Sequence, residues 1–146
     1  MPPVPEHVEV TFPDDGGCFG CSPTNPRGLA LRFRREGDEI HARYTIPDAL
    51  HGAPGIAHGG IVATLLDEVS CAVAALLLDQ RVVTGELSVR YEQPVPVEAP
   101  LDLLARVASR AHPRYAVIDG EVRRGAVRLA RSTGKFFYEQ RLYAAP

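Results

Sequence analysis

No stretch of this chain repeats with a period in the tens of residues, which sets aside solenoids, propellers and stacked arrays. Absent too are the phosphate-cradling P-loop, the dinucleotide GxGxxG fingerprint and the GxSxG nucleophile elbow, so those routes to catalysis drop out. Cysteine is scarce: three residues cannot all pair within one chain. The amino terminus also lacks the basic-then-apolar order of a secretory signal, and a reducing cytoplasm is the expected setting. A net charge of -2 exerts no global pull toward nucleic acid or an anionic membrane. Long hydrophobic runs are limited to Ile61 to Leu78, and that run contains Asp67 and Glu68. Each of these would cost about 2.5 to 3.5 kcal/mol near a bilayer centre, so a core helix is expected there and no membrane span.

What remains suits one compact domain. A chain of 146 residues can bury about 70% of the surface it exposes when unfolded. Its 45% hydrophobic and 23% charged residues are ordinary for a globular protein. Residues 1–27 carry prolines at 2, 3, 5, 13, 23 and 26 and the pair Gly16-Gly17, a density that predicts an irregular leader. The domain proper is expected over 28–141. Leu29, Leu31 and Phe33 alternate with Arg32 and Arg34, and Ile40, Ala42, Tyr44 and Ile46 alternate with Glu39, His41, Arg43 and Thr45. Joined across Glu36-Gly37-Asp38, these predict a β-hairpin.

The loop His51 to Gly60 holds four glycines and Pro54, and Gly59-Gly60 opens a helix expected to run to about Leu78. Its apolar residues spread over more than one stripe with alanines between, the pattern of a helix wrapped on nearly all sides. Strand-like stretches follow at 82–92, 99–109, 114–124 and 126–138, divided by Pro94 and Pro96, His112-Pro113 and Gly125. The expected architecture is α+β, an antiparallel six-stranded sheet curled around one long central helix. Its open edges would be closed most cheaply by a second copy of the chain.

His58-Gly59-Gly60 stands at the helix start, where unsatisfied N–H groups and the positive end of the macrodipole can meet a carbonyl that develops negative charge. One such donor is worth about 2.7 to 4 kcal/mol in a transition state. A glycine-rich loop that merely starts a buried helix would give the same pattern. Asp67 and Glu68 lie two turns on, the charged residues of an otherwise apolar helix. Burial of such groups is costly unless they are paired, hydrated or functional. Glu68, about 100° around the helix from Asp67, could instead reach solvent or an arginine such as Arg90. Gly59 and Asp67 are separated by about 12 Å along the axis, too far to flank one carbonyl from a single copy. Two antiparallel helices across a two-fold axis would bring the donors of one chain to the carboxylate of the other.

The stretch HGAPGIAHGGIVATLLDE, residues 51–68, resembles the HGG signature of the hotdog-fold acyl-CoA thioesterases, in particular the phenylacetate-pathway-like branch. CFGCSPTNPRGL at 18–29 and TGELSVRYEQPVP at 84–96 are similar to the leader and third strand of many bacterial members, so the likeness covers nearly the whole chain. It implies a hotdog fold and hydrolysis of an acyl-CoA thioester to free acid and CoA. The Gly59 amide, with Gly60, would polarise the carbonyl. Asp67 of a partner chain would act as general base or nucleophile, and Thr84 would orient the water. Thr84 reaches the face of Leu87, Val89 and Tyr91 only if Gly85 forms a bulge. Some relatives carry a site asparagine where Gly52 stands here, which leaves polarisation to backbone donors or to His51 or His58. For His58, fixing its own turn is the plainer role.

Arg106, Arg110 and Arg114, from the basic last third, would flank one strand end and offer sites for CoA phosphates; a solvated outer face is the bland alternative. Glu68, with His51 and His58, is a further substrate-binding candidate. Cys18 and Cys21 form a CxxC without the second ligand pair of a usual zinc site, and are read as structural leader residues. No metal or cofactor is expected, nor nucleic acid as partner. The expected assembly is a homodimer or a dimer of dimers. Two other functions fit the residues: an enoyl-CoA hydratase or dehydratase on the same fold, pairing a histidine with a carboxylate, and a non-catalytic acyl-CoA-binding module.

Overall fold

The computed structural model of the chain describes residues 8–10 and 17–139. Strand β1 is Val8–Val10, β2 is Phe33–Glu36 and β3 is Glu39–Thr45; after a 3-10 turn at Asp48–Leu50, helix α1 spans Gly59–Leu77. Strands β4 (Val82–Tyr91), β5 (Pro100–Ser109), β6 (Tyr115–Arg124) and β7 (Val127–Tyr138) complete it. All neighbouring strands pair antiparallel, in the order β1-β2-β3-β5-β6-β7-β4. The expected sheet of six strands around one helix is present, with β1 added beside β2. That short strand falls within the stretch expected to be irregular, and residues 140–141 of the expected domain lie outside the described residues.

The first hairpin is narrower than its hydrophobic pattern. Leu29 and Leu31 are buried as their alternation requires. Ala30 between them adopts a left-handed φ of 51°, which no ladder accommodates, so pairing with β3 begins later. Gly37, at φ 61°, supplies the tight turn into β3.

Helix α1 lies across the sheet and touches β3, β4, β5, β6 and β7. Val62, Leu65, Leu66, Val69 and Val73 are fully buried against inward residues such as Leu101, Leu103, Ile118 and Phe136. Each such side chain contributes about 1.5 to 3 kcal/mol by leaving water. The wrapping expected on nearly all sides is incomplete: Ala63, Asp67 and Cys71, at i, i+4 and i+8, form a stripe that stays only half-buried.

Gly120 on β6 lets α1 come close, since a Cβ there would stand 2.8 Å from Ser132 Oγ and 3.4 Å from Ser70 Oγ. Both hydroxyls are buried and have no hydrogen-bond partner among the described residues. An unpaired buried hydroxyl opposes folding. Ser70→Ala is therefore expected to stabilise the protein by about 1 kcal/mol, raising Tm by about 3 °C in thermal denaturation; a fall in Tm would show that the hydroxyl is paired in solution.

Candidate active site

The loop before α1 is held by its own backbone. His58 N–H donates to Leu50 O at 3.0 Å, Ala57 N–H to Val95 O at 2.8 Å and Gly52 N–H to Ile56 O at 2.8 Å. Gly52 lies so close to His58 that a Cβ would stand 3.3 Å from the His58 Cα, which is why a side chain there would press on the loop. His58 is the N-cap of α1: its Nδ1 accepts the Gly60 N–H at 2.9 Å, which requires that ring nitrogen to be unprotonated. The two glycines expected to act together thus differ. Gly60's amide is taken by the cap, whereas the Gly59 N–H makes no hydrogen bond among the described residues and faces outward at the positive helix end. Tyr91 at the end of β4 donates its hydroxyl to Gly59 O at 2.5 Å. Beside it opens an apolar cleft of about 350 Å³ lined by Ile56, Val62, Tyr91 and Pro94.

Asp67 lies on the half-buried stripe of the same helix. Its Oδ1 accepts a hydrogen bond from Thr84 Oγ1 at 2.6 Å. Burial holds its carboxyl above the usual aspartate range, and the Thr84 hydroxyl offsets this in part by favouring the charged form. Thr84 can reach the helix because β4 shifts register between Thr84 and Glu86 where it pairs with β7, leaving Gly85 as the extra residue of a bulge. Gly85 must be glycine there, since a Cβ would run into the Phe137 ring. One turn after Asp67, the Cys71 Sγ lies 3.8 Å from Thr84 Oγ1. Burial, and then the Asp67 charge, keep its thiol protonated, which disqualifies it as a thiolate nucleophile.

Thr84 and Gly85 also line an open cleft of about 1060 Å³ together with Arg110, His112, Arg114 and Phe137. Arg110 and Arg114 make no ion pair among the described residues, and the Arg114 guanidinium sits 5.8 Å from the centre of the Phe137 ring. Arg106 does not join them: on β5 its register partners are Glu39 and Asp119, on the face of the sheet away from α1. Two residues on, the β5–β6 pairing slips between Val107 and Ser109. Other basic residues of the last third are paired on that outer face, Arg123 with Glu121 at 2.7 Å and Arg128 with Glu92 at 2.6 Å.

Residues 54–131, half of the chain, match the family model described as Thioesterase superfamily. The chain belongs to the thioesterase superfamily. An uncharacterised mitochondrial protein of Candida albicans is 35% identical over 83 residues, which are 56% of this chain and 37% of that protein. The chain thus spans little more than a third of that curated relative. Among solved structures, a thioesterase superfamily protein matches with 28% identity and a TM-score of 0.71, covering 79% of this chain and 57% of its own. A phenylacetic acid degradation-related protein from Ralstonia eutropha shares the fold at 20% identity, with TM-score 0.68 and coverage of 80% and 91%. So does a hypothetical thioesterase from Streptococcus pneumoniae solved with coenzyme A, at 18% identity, TM-score 0.67 and coverage of 74% and 87%. The hotdog fold expected from the HGG stretch is therefore that of this thioesterase superfamily member.

Within this family member, Asp67 and Thr84 are joined, Gly59 and Gly60 stand at the other end of the same surface, and Arg110 and Arg114 rim the Thr84 cleft. His51 is tied to its own loop, its Nδ1 2.6 Å from Asp48 O. Glu68 turns away from Asp67 toward the leader, with Cys18 Sγ 3.6 Å from its Oε1, and does not line the Thr84 cleft. Burial raises its pKa first, the Cys18 contact lowers it and the Asp67 charge raises it. Tyr91 was missed as a site residue. Its alternation with Leu87 and Val89 marks only its face, and a contact across 32 residues leaves no local sign.

Thr84→Val removes the hydrogen bond that favours charged Asp67. The Asp67 carboxyl is then expected to titrate at higher pH than in the unmodified protein, read by carboxyl carbon NMR; an unchanged midpoint would mean that Thr84 does not act on it.

Proposed function

We propose that the protein hydrolyses an acyl-CoA thioester, with Asp67 of one chain activating water and the Gly59 amide of a second chain receiving the carbonyl. The observation that carries this reading is the hydrogen-bonded, half-buried Asp67–Thr84 pair on the surface whose other end is the Gly59 amide, unpaired among the described residues. In the reaction Asp67 takes a proton from water, whose oxygen attacks the thioester carbon. The carbonyl oxygen gathers negative charge against the Gly59 N–H. Collapse breaks the C–S bond, and the proton passes to the departing thiolate, leaving acid and free CoA.

Three things support the chemistry and its partner. Superfamily membership supports thioester cleavage in general. The Streptococcus pneumoniae protein of the same fold, solved with coenzyme A, supports CoA as the thiol carrier. Among the described residues Arg110 and Arg114 have no carboxylate partner, and they border the Thr84 cleft, where phosphates could meet them. A hydratase would pair a histidine with the carboxylate across the site; within one chain the hydrogen bond to Asp67 comes from Thr84, and hydration of an enoyl-CoA without thiol release would favour that reading. The about 12 Å between Gly59 and Asp67 along α1 is what asks for a second chain. Among the described residues β4, the strand next to the site, pairs with β7 alone and is a sheet edge for that chain to meet.

A panel of acyl-CoAs with thiol release as readout tests the reaction. Asp67→Asn is expected to lower kcat by at least about 10²-fold, and undiminished turnover would remove Asp67 from the mechanism. The working base is the deprotonated carboxylate, and burial holds its pKa above the ordinary 3.8. Activity should therefore fail on acidification at a higher pH than an ordinary aspartate would allow; an acid limb at or below 3.8 contradicts this.

A second experiment asks whether the site is shared. Gly59 is the first helical residue, where proline is well tolerated, and its preceding residue already has the extended backbone that proline requires. Gly59→Pro thus removes the one amide with little disturbance and is expected to lower kcat by about 10² to 10³-fold. Mixed dimers of Gly59→Pro with Asp67→Asn should regain activity, because each then contains one site with both groups intact. Failure of mixed dimers to regain any would place both groups in one chain's site.

A further inference from the structure

The Cys18–Cys21 motif is left unused by the proposed reaction, and the fold gives it a third member. Cys18 and Cys21 bracket a turn closed by a hydrogen bond from Ser22 N–H to Cys18 O at 3.0 Å. The turn is stitched to the chain ahead of β2 by Leu29 N–H to Phe19 O at 2.7 Å and Leu31 N–H to Gly20 O at 2.9 Å. Gly20, within the turn, is buried directly against Glu68, so closely that a Cβ would occupy the space of the Glu68 side chain. As a result the two sulfurs and a Glu68 carboxylate oxygen lie within 4.8 Å of one another, all three residues half-buried.

We propose that Cys18, Cys21 and Glu68 bind a divalent metal ion of the zinc type, with one position left for water. Two thiolates and a carboxylate are the donor set of a tetrahedral zinc ion. With Zn–S near 2.3 Å and Zn–O near 2.1 Å, tetrahedral ligands stand about 3.5 to 3.8 Å apart. The 3.6 Å between Cys18 Sγ and Glu68 Oε1 already matches that span. Hard cations such as magnesium or calcium are disfavoured by the sulfurs. The ion would fasten the leader turn to α1 next to Asp67, giving Glu68 a role independent of thioester hydrolysis. A sequence pattern cannot display this ligand set, because Glu68 is 50 residues from Cys18.

The test uses the full chain, reduced, stripped with chelator and titrated with cobalt(II), which reports its ligands by colour. The expected result is about one cobalt per chain, with a thiolate-to-cobalt charge-transfer band and the visible absorption of tetrahedral cobalt, both displaced by zinc. The Cys18→Ser/Cys21→Ser double variant should lose the charge-transfer band. Glu68→Gln should keep the band but bind at least about tenfold more weakly. Zinc should raise the Tm of the unmodified protein in proportion to the logarithm of its concentration, a readout that needs no variant to fold. Absence of the band in the unmodified protein, or its persistence when both cysteines are replaced, would overturn the proposal. Neither result bears on Asp67, whose test is thiol release.

Discussion

The hydrogen bond between Thr84 and Asp67 is the contact on which the rest of this molecule is arranged. A carboxylate on a core helix is expensive to bury, and the molecule limits that cost in two ways. It leaves the Ala63–Asp67–Cys71 stripe only half-covered, and it brings a hydroxyl to the carboxylate from β4. Neither would follow from a regular strand. Uninterrupted alternation would turn Thr84 to the other face; the extra residue at Gly85 turns it inward, and glycine there leaves room for the Phe137 ring. A backbone irregularity in one edge strand thus sets the environment of the central ionisable group, raised by burial and partly relieved by Thr84.

The opposite end of α1 is organised by a different economy of donors. His58 satisfies the second helical amide itself, the first has no partner among the described residues, and Tyr91 fixes the Gly59 carbonyl from the far end of β4. The same strand therefore braces both ends of the surface, through Thr84 at Asp67 and through Tyr91 at Gly59. The helix is continuous between them, which sets Gly59 and Asp67 about 12 Å apart along its axis. That separation, with β4 at the edge of the described sheet, is the physical motive for proposing a site shared by two chains.

Charge is divided between the two faces of the sheet in a way that net charge conceals. On the outer face arginines meet carboxylates, Arg123 and Arg128 with Glu121 and Glu92, and exposed pairs of this kind add little stability. Near Thr84, Arg110 and Arg114 border an open cleft without a carboxylate partner among the described residues. The basic last third thus includes arginines held by carboxylates on the outer face, and Arg110 and Arg114 at the cleft, where an anionic ligand could meet them.

By itself the sequence determined the elements and their order. The helix from Gly59, the four later strands and the core residues follow from apolar periodicity and from glycine and proline punctuation, which act over a few residues and are written in neighbouring letters. It also singled out Asp67, because a charge in an apolar helix is conspicuous without any structure. Tertiary structure decided which partners those residues have. Ala30's left-handed backbone shortened the first hairpin, the bulge at Gly85 gave Thr84 to Asp67, the leader turn took Glu68, and strand register sent Arg106 to the outer face while Arg110 and Arg114 came to the cleft. These outcomes depend on contacts between residues tens of positions apart, whose energies are comparable to those of the alternatives, and local pattern carries no record of which contact wins.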